Sequence, residues 1–288
     1  MNKSLQDEIA LKVKTNPTFA KKVHNSGFIE LESSWGDEAE ILNNARVSTS
    51  NTKIYNIKDI KDKDIKLLTH LLKNNHGTPF ETLYFRFRIV MPLFVARQWI
   101  RHRISSFNEY SQRYRTPLDE FYIPDQDHIT FDGLELLTDQ DLEQYERVIS
   151  NTYKFHKEKL AQMYDRIAVQ SEAACPHCNS TGVFQGKIEI PEHLREECEY
   201  CKGTGKYPIN IKGARARARE LIRNVMPVAT YTDLYWTVNF RSLSNFFGLR
   251  CDDHAQVEIR DYAMTAYEMV KKKYPILMDV YEEVYDKK

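Results

Sequence analysis

Apolar positions along this chain keep two rhythms, one near every third or fourth residue and one at every second residue, and each predicts a different element. Met1–Lys22 is mostly polar and is expected at the periphery. Phe28–Leu31 is a short strand candidate. Ala39, Leu42 and Ala45 share one side of a predicted helix over Glu38–Val47, and Ile65, Leu68, Leu71 and Leu72 do so over Asp59–Asn75. Thr78-Pro79-Phe80-Glu81 fits a capping box with proline at the first helical position. Phe85, Phe87 and Ile89 alternate with Arg86 and Arg88, a strand pattern. Pro92 opens a helix that ends in Arg101-His102-Arg103, and Ser105–Arg115 is polar and turn-like. Helical spacing returns over Leu142–Val169, Ala214–Val225, Thr232–Phe247 and His254–Lys271, the last with Ile259, Ala263, Ala266 and Val270 inward and Pro275 as its stop. Cys175–Gly205 breaks the rhythm with cysteines, glycines and short polar runs. The pattern predicts an α+β fold, a mostly antiparallel sheet packed by helices. Residues 1–174 and 211–288 form the main domain, and 175–210 a small inserted segment.

The composition narrows the function. Across 288 residues, 42% are hydrophobic and 28% charged, a globular balance, and 41 basic residues offset 41 acidic ones. Zero net charge argues against a general nucleic-acid-coating protein, although local basic patches remain open. Met1–Thr15 lacks the apolar stretch of a signal peptide, and no apolar run has the roughly 18–20 residues of a membrane span. Four of the five cysteines lie in CxxC pairs, which points to a metal site in a reducing compartment and so to a cytoplasmic protein.

Between Arg86 and Arg115 stand seven arginines and a single acid, Glu109. Such a local excess calls for an anion, and the planar guanidinium fork matches phosphate oxygens two at a time. Arg97 and Arg101 are four apart and are expected on one helix face, as are Arg215, Arg219 and Arg223 farther on. A solvated basic face is the alternative for any arginine cluster taken alone.

The order of residues around the arginines sharpens this. Arg101-His102-Arg103-Ile104-Ser105-Ser106-Phe107-Asn108-Glu109-Tyr110-Ser111-Gln112-Arg113-Tyr114 resembles, without a gap, the RHRxxSxNExSxRY signature of flavin-dependent thymidylate synthases. Ala45-Arg46-Val47-Ser48, His76-Gly77-Thr78-Pro79-Phe80-Glu81 and Trp236-Thr237-Val238-Asn239-Phe240-Arg241-Ser242-Leu243 look like further blocks of that family in the same order. Asn245, Leu249-Arg250 and His254-Ala255-Gln256 continue the pattern. The likeness spans roughly residues 25–275 outside the cysteine segment. Thr82 departs from it, because the family commonly has histidine there.

The resemblance implies reductive methylation of dUMP to dTMP, with methylenetetrahydrofolate as carbon donor and FAD reduced by NADPH. It also implies a homotetramer with active sites at subunit interfaces. By matched position, Gln98, Arg101, Glu109, Ser111, Arg113, Arg223 and Arg250 would contact dUMP. Ser48, Thr78, Arg101, His102, Arg103, Glu109, Asn239, Arg241 and Asn245 would contact FAD, with His76 on the folate side. Arg250 would be catalytic, as a fixed cation beside the uracil ring as it loses a proton.

Other readings stand beside these. Thr78 with Glu81 is also a plain helix cap, Arg250 a surface ion pair, and His102 a structural imidazole kept neutral by flanking arginines. Ser111 has no neighbouring histidine to act as base, which disfavours a serine nucleophile. Cys251 reads as a small hydrophobe. The absence of a GxGxxG turn disfavours a Rossmann dehydrogenase. Two functional alternatives remain: a flavoenzyme for a related pyrimidine nucleotide, and a zinc-ribbon protein that binds RNA or a partner on a degenerate scaffold.

Cys175-Pro176-His177-Cys178 and Cys198-Glu199-Tyr200-Cys201 give C-x2-C-x19-C-x2-C, the spacing of a closed four-thiolate zinc site. Lys202-Gly203-Thr204-Gly205 resembles the CxxCxGxG knuckles of J-type chaperones and related zinc ribbons. The four cysteines are the predicted ligands of a structural Zn(II), with His177 and His193 as lesser alternatives. Nucleic-acid binding is disfavoured, since glycine and threonine rather than lysine and arginine dominate the knuckles.

Overall fold

The computed structural model describes residues 4–50, 52–116, 118, 120–131, 133–169, 172–175, 177–178 and 197–285. Two compact units emerge: Met1–Tyr110 with Pro117–Arg147 and Val228–Lys288, and Ser111–Thr116 with Val148–Pro227. In chain order the elements are α1 (Leu5–Thr15), β1 (Ala20–Val23), β2 (Gly27–Trp35), α2 (Glu38–Ala45), α3 (Asp62–Lys73), β3 (Tyr84–Pro92), α4 (Leu93–Trp99) and β4 (Ser105–Glu109). Then come β5 (Thr130–Phe131), β6 (Leu134–Glu135), α5 (Asp139–Val169), β7 (Glu172–Ala174), β8 (Lys206–Pro208) and α6 (Ile211–Ile222). The chain closes with β9 (Tyr231–Asn239), α7 (Phe240–Arg250), α8 (Val257–Lys273) and α9 (Pro275–Tyr285).

In the first unit a five-stranded antiparallel sheet runs β1-β2-β3-β9-β4. The α+β expectation and its mostly antiparallel sheet hold. Alternation sets the faces. Phe85, Phe87 and Ile89 of β3 and Leu234, Trp236 and Val238 of β9 point into the core against Leu243 and Phe246 of α7 and Ile259, Ala263 and Ala266 of α8. Trp236 stacks on Phe87 at 5.6 Å between ring centres and meets Trp99 edge-on at 5.2 Å. Removing so large a buried ring costs about 3–5 kcal/mol.

Several sequence expectations give way here. Thr232–Phe247 is not one helix: its first half lies in the inner strand β9, because Tyr, Trp, Thr and Val pack well on a pleated surface and alternate in burial. Ser105–Arg115 is not all turn, since Ser105–Glu109 pairs with Val238–Leu234 as the edge strand β4. Thr78–Thr82 is a 3-10 turn capped by Gly77 with no side-chain cap bond, so the capping box does not form. The helix before the arginine block ends at Trp99, so Arg97 and Arg101 share no helix face. Met1–Lys22 is not merely peripheral. Ser4 and Asp7 box the start of α1, Ile9 is buried, and β1 joins the sheet.

On the sheet's other face, the Arg88 guanidinium meets Asp233 (Nη2 to Oδ2, 2.8 Å) and Glu8 of α1. Lys12 reaches Glu30 at 2.9 Å. These pairs dock α1 on a polar sheet face where apolar packing is thin.

Candidate active site

Within the first unit, α3, the turn after α4, and helices α7 and α9 enclose a cavity of about 790 Å³. Its apolar wall comes from Leu71, Leu72, Phe80, Tyr281 and Tyr285. Its polar wall brings together His76, Arg101, His102, Arg103, Arg241, Asn245 and Arg250. Segments more than a hundred residues apart in sequence thus place four guanidinium groups around one space. A methyl group at Gly77, on its rim, would meet the Arg241 side chain and push it aside.

The four arginines are not equivalent. Arg241 is paired with Glu81 at 2.5 Å. Among the described residues, no carboxylate lies within ion-pair distance of Arg101, Arg103 or Arg250. Arg250 Nε donates to His102 Nε2 at 3.1 Å, so that nitrogen carries no proton. Burial, and then the Arg250 charge, lower the His102 pKa to about 4, and Phe246 packs edge-on against its ring. A neutral imidazole therefore orients Arg250 without neutralising it. The remaining guanidinium N–H groups are left for an anion, and a cavity with three cations unmatched by acids fits a dinucleotide's phosphates or an anionic ring edge.

Other sequence candidates fall elsewhere in this unit. Ser48 and Thr78 are exposed and do not line the cavity. Asn239 Oδ1 caps α7 by accepting from Ser242 N at 2.9 Å. Glu109 accepts from Thr232 Oγ1 at 2.8 Å, and Gln98 is bonded to Gln256. The apolar wall from α3 and α9 was not read as part of a site. Its sequence signals are helical spacings alone, Leu68, Leu71 and Leu72 in α3 and Leu277, Tyr281 and Tyr285 after Pro275.

In the second unit, Ser111 Oγ accepts from Arg113 N at 3.3 Å, and Arg113 pairs with Glu220 at 2.6 Å. Arg219 is occupied by the Tyr164 hydroxyl and the Arg113 carbonyl, both at 2.7 Å, while Arg215 lies over the Tyr164 ring. Arg223 is exposed at the end of α6.

The same unit holds the cysteine knuckle. β7 pairs with β8 and brings the two CxxC turns together. The four sulfurs lie within 4.8 Å of one another and are buried. Cys175 Sγ is 3.9 Å from Cys198 Sγ, and Cys178 Sγ is 3.6 Å from Cys201 Sγ. Tetrahedral zinc with bonds of about 2.3 Å needs sulfurs about 3.8 Å apart, so the donor set fits. Lys202 (φ 47°), Gly203 (φ 76°) and Gly205 (φ 72°) turn the backbone through the left-handed region, and the Gly205 amide reaches Cys201. His177 stacks on Tyr200 at 3.6 Å rather than joining the thiols, and His193 lies outside the described residues.

Comparison with known proteins accords with this geometry. The family model described as "Thymidylate synthase complementing protein" matches residues 30–276. A flavin-dependent thymidylate synthase of Thermosipho africanus is 36% identical over 266 residues, covering 88% of this chain and 90% of its own. One from Kosmotoga olearia is 33% identical, covering 90% and 92%. Among solved structures, a UMP/dUMP methylase, PolB, from Streptomyces cacaoi bound with 5-Br dUMP superposes with a TM-score of 0.64. It is 24% identical, covers 92% of this chain and 98% of its own, and shows a shared fold. The chain belongs to the thymidylate synthase complementing protein family, the family of the flavin-dependent thymidylate synthases. It is an enzyme of that methyl-transferring class.

Proposed function

We propose that the protein methylates dUMP to dTMP, taking the carbon from methylenetetrahydrofolate. The observation that carries this reading is the cavity whose Arg101, Arg103 and Arg250 have no acid partner among the described residues, in a chain of this family. Arg101, His102, Arg103, Arg241 and Asn245 are the candidate FAD contacts that share the cavity with His76, the folate-side candidate. Ser48, Thr78, Glu109 and Asn239 complete that set by matched position only. FAD bound there supplies reducing equivalents drawn from NADPH. For dUMP the candidates are Gln98, Arg101, Glu109 and Arg250 of the first unit and Ser111, Arg113 and Arg223 of the second. Arg250 stabilises negative charge on the uracil ring while His102 holds it in place. At Arg113 a phosphate would compete with Glu220.

Residues 1–174 and 211–288 are read as the synthase domain of a homotetramer, and 175–210 as an insertion clamped by structural Zn(II) through Cys175, Cys178, Cys198 and Cys201. Among the described residues no helix is long and apolar enough to cross a membrane, and a cytoplasmic location belongs to the same reading. The test is one preparation assayed twice. Absorption should show bound flavin, and incubation with dUMP, NADPH and labelled methylenetetrahydrofolate should put label into dTMP. A flavin-free protein, or label confined to another nucleotide, would refute it.

A further inference from the structure

Apart from the arginine cavity and the knuckle, a third cluster of ligand-type side chains lies in the first unit. His24 sits in the turn between β1 and β2 with φ at 56°, in the left-handed region. His128 ends the 3-10 turn Gln126–His128, and Asp261 projects from α8. His128 Nε2 is 3.0 Å, and His24 Nδ1 3.7 Å, from the same carboxylate oxygen, Asp261 Oδ2. The imidazole side chains are only 2% and 9% exposed, while Asp261 is 37% exposed and faces solvent.

The surrounding hydrogen bonds fix where the ring protons are. His24 Nε2 lies 3.2 Å from the Glu258 backbone carbonyl, which only accepts, so the His24 proton is on Nε2. The Tyr122 hydroxyl donates to Glu258 Oε1 at 3.1 Å and lies 2.8 Å from His128 Nδ1. A phenol has one proton, and Tyr122 gives it to Glu258. His128 Nδ1 must therefore be the donor to the Tyr122 oxygen. In their neutral forms both rings then turn a bare lone pair toward one carboxylate oxygen. Three acceptors converge between two buried rings and a carboxylate open to solvent, an arrangement that a cation among them would relieve.

We propose that His24, His128 and Asp261 bind a divalent transition-metal ion of the zinc or cobalt type. Ligand atoms on a tetrahedral ion with bonds of about 2.05 Å stand about 3.3 Å apart, between the two distances found here. Each imidazole already has the outer partner that metal-binding histidines use, a carbonyl for His24 and a phenol–carboxylate pair for His128. Mixed imidazole and carboxylate ligation selects zinc-like ions over calcium or magnesium. The ion would tie the β1–β2 turn and the 126–128 turn to the first turns of α8. With three protein ligands its fourth position, on the exposed Asp261 side, would be taken by water.

The test compares full-length wild type, Asp261→Asn and His128→Gln after equilibration with excess Zn(II) and removal of unbound metal. Metal per chain is measured by elemental analysis, and Co(II)-loaded samples are examined by absorption. Each variant should hold one ion per chain fewer than wild type, with the thiolate-to-cobalt charge-transfer band of the four-cysteine knuckle unchanged. That difference does not depend on whether the knuckle itself is loaded. Equal metal content in wild type and folded variants would overturn the proposal. Should both variants fail to fold, wild type decides alone. Weak d–d bands from a nitrogen–oxygen site are required, and nitrogen NMR showing His24 and His128 doubly protonated at neutral pH with or without metal would overturn it.

Discussion

Arg88 and Arg250 are both partly shielded cations in the first unit, and the protein treats them in opposite ways. Arg88 is matched by Asp233 and Glu8; burial alone would lower its proton affinity, but the two carboxylates outweigh that and raise it. Arg250 is met by a neutral imidazole that accepts one N–H and leaves the charge uncompensated. A guanidinium that is paired from all sides serves docking, here of α1 on the sheet. One that is oriented but not neutralised is arranged for an anion that comes and goes.

The comparison is open to direct attack. Arg250→Ala should lower dTMP formation at saturating dUMP on the order of 10²–10³-fold while flavin stays largely bound and the melting temperature changes little. Turnover within a few-fold of wild type would mean that Arg250 has another role. Arg88→Ala should show the converse. It strands Asp233 beside a buried sheet face and should cost roughly 3 kcal/mol of stability by denaturant titration, with turnover per folded molecule close to normal. Cys198→Ser with Cys201→Ser should remove zinc from the knuckle and lower the melting temperature, while NADPH oxidation by the flavin continues. A loss of hydride transfer with flavin still bound would give that metal a part in the chemistry. Arg113→Lys should weaken dUMP more than deoxyuridine, since lysine cannot make the two-point contact with phosphate. Equal losses would place Arg113 away from the phosphate.

The smallest effect concerns His102. Its pKa is about 4 in the folded protein against 6.5 for an ordinary histidine, so between those values the unfolded chain binds the extra proton. Stability should therefore fall as pH drops through that window and be unaffected by this group above it. His102→Asn should flatten the slope between wild-type denaturant midpoints at pH 7.5 and 4.5. An unchanged slope would mean that His102 is not held neutral by its surroundings.

Much of this protein was determined by its sequence read alone. The periodic apolar residues of α2, α3 and α8 announce amphipathic helices, because one face of each must leave water whatever it packs against. The ungapped block from Arg101 to Tyr114 announces the family, and the paired CxxC spacing announces a four-thiol cluster, because short-range spacing limits which ligands a turn can bring together. What the tertiary structure alone decided is of another kind. The β-branched and aromatic residues of Tyr231–Asn239 suit a strand, but which strands flank it and satisfy its backbone, β3 and β4, is absent from its own residues. Arg101 and Arg250 came to share a cavity, Arg88 found Glu8 across 80 positions of chain, and His24 met His128 and Asp261, all through sheet pairing and helix packing. Charge and proton position follow from those meetings, since an arginine in the sequence has the same character whether the fold gives it two carboxylates or one neutral imidazole.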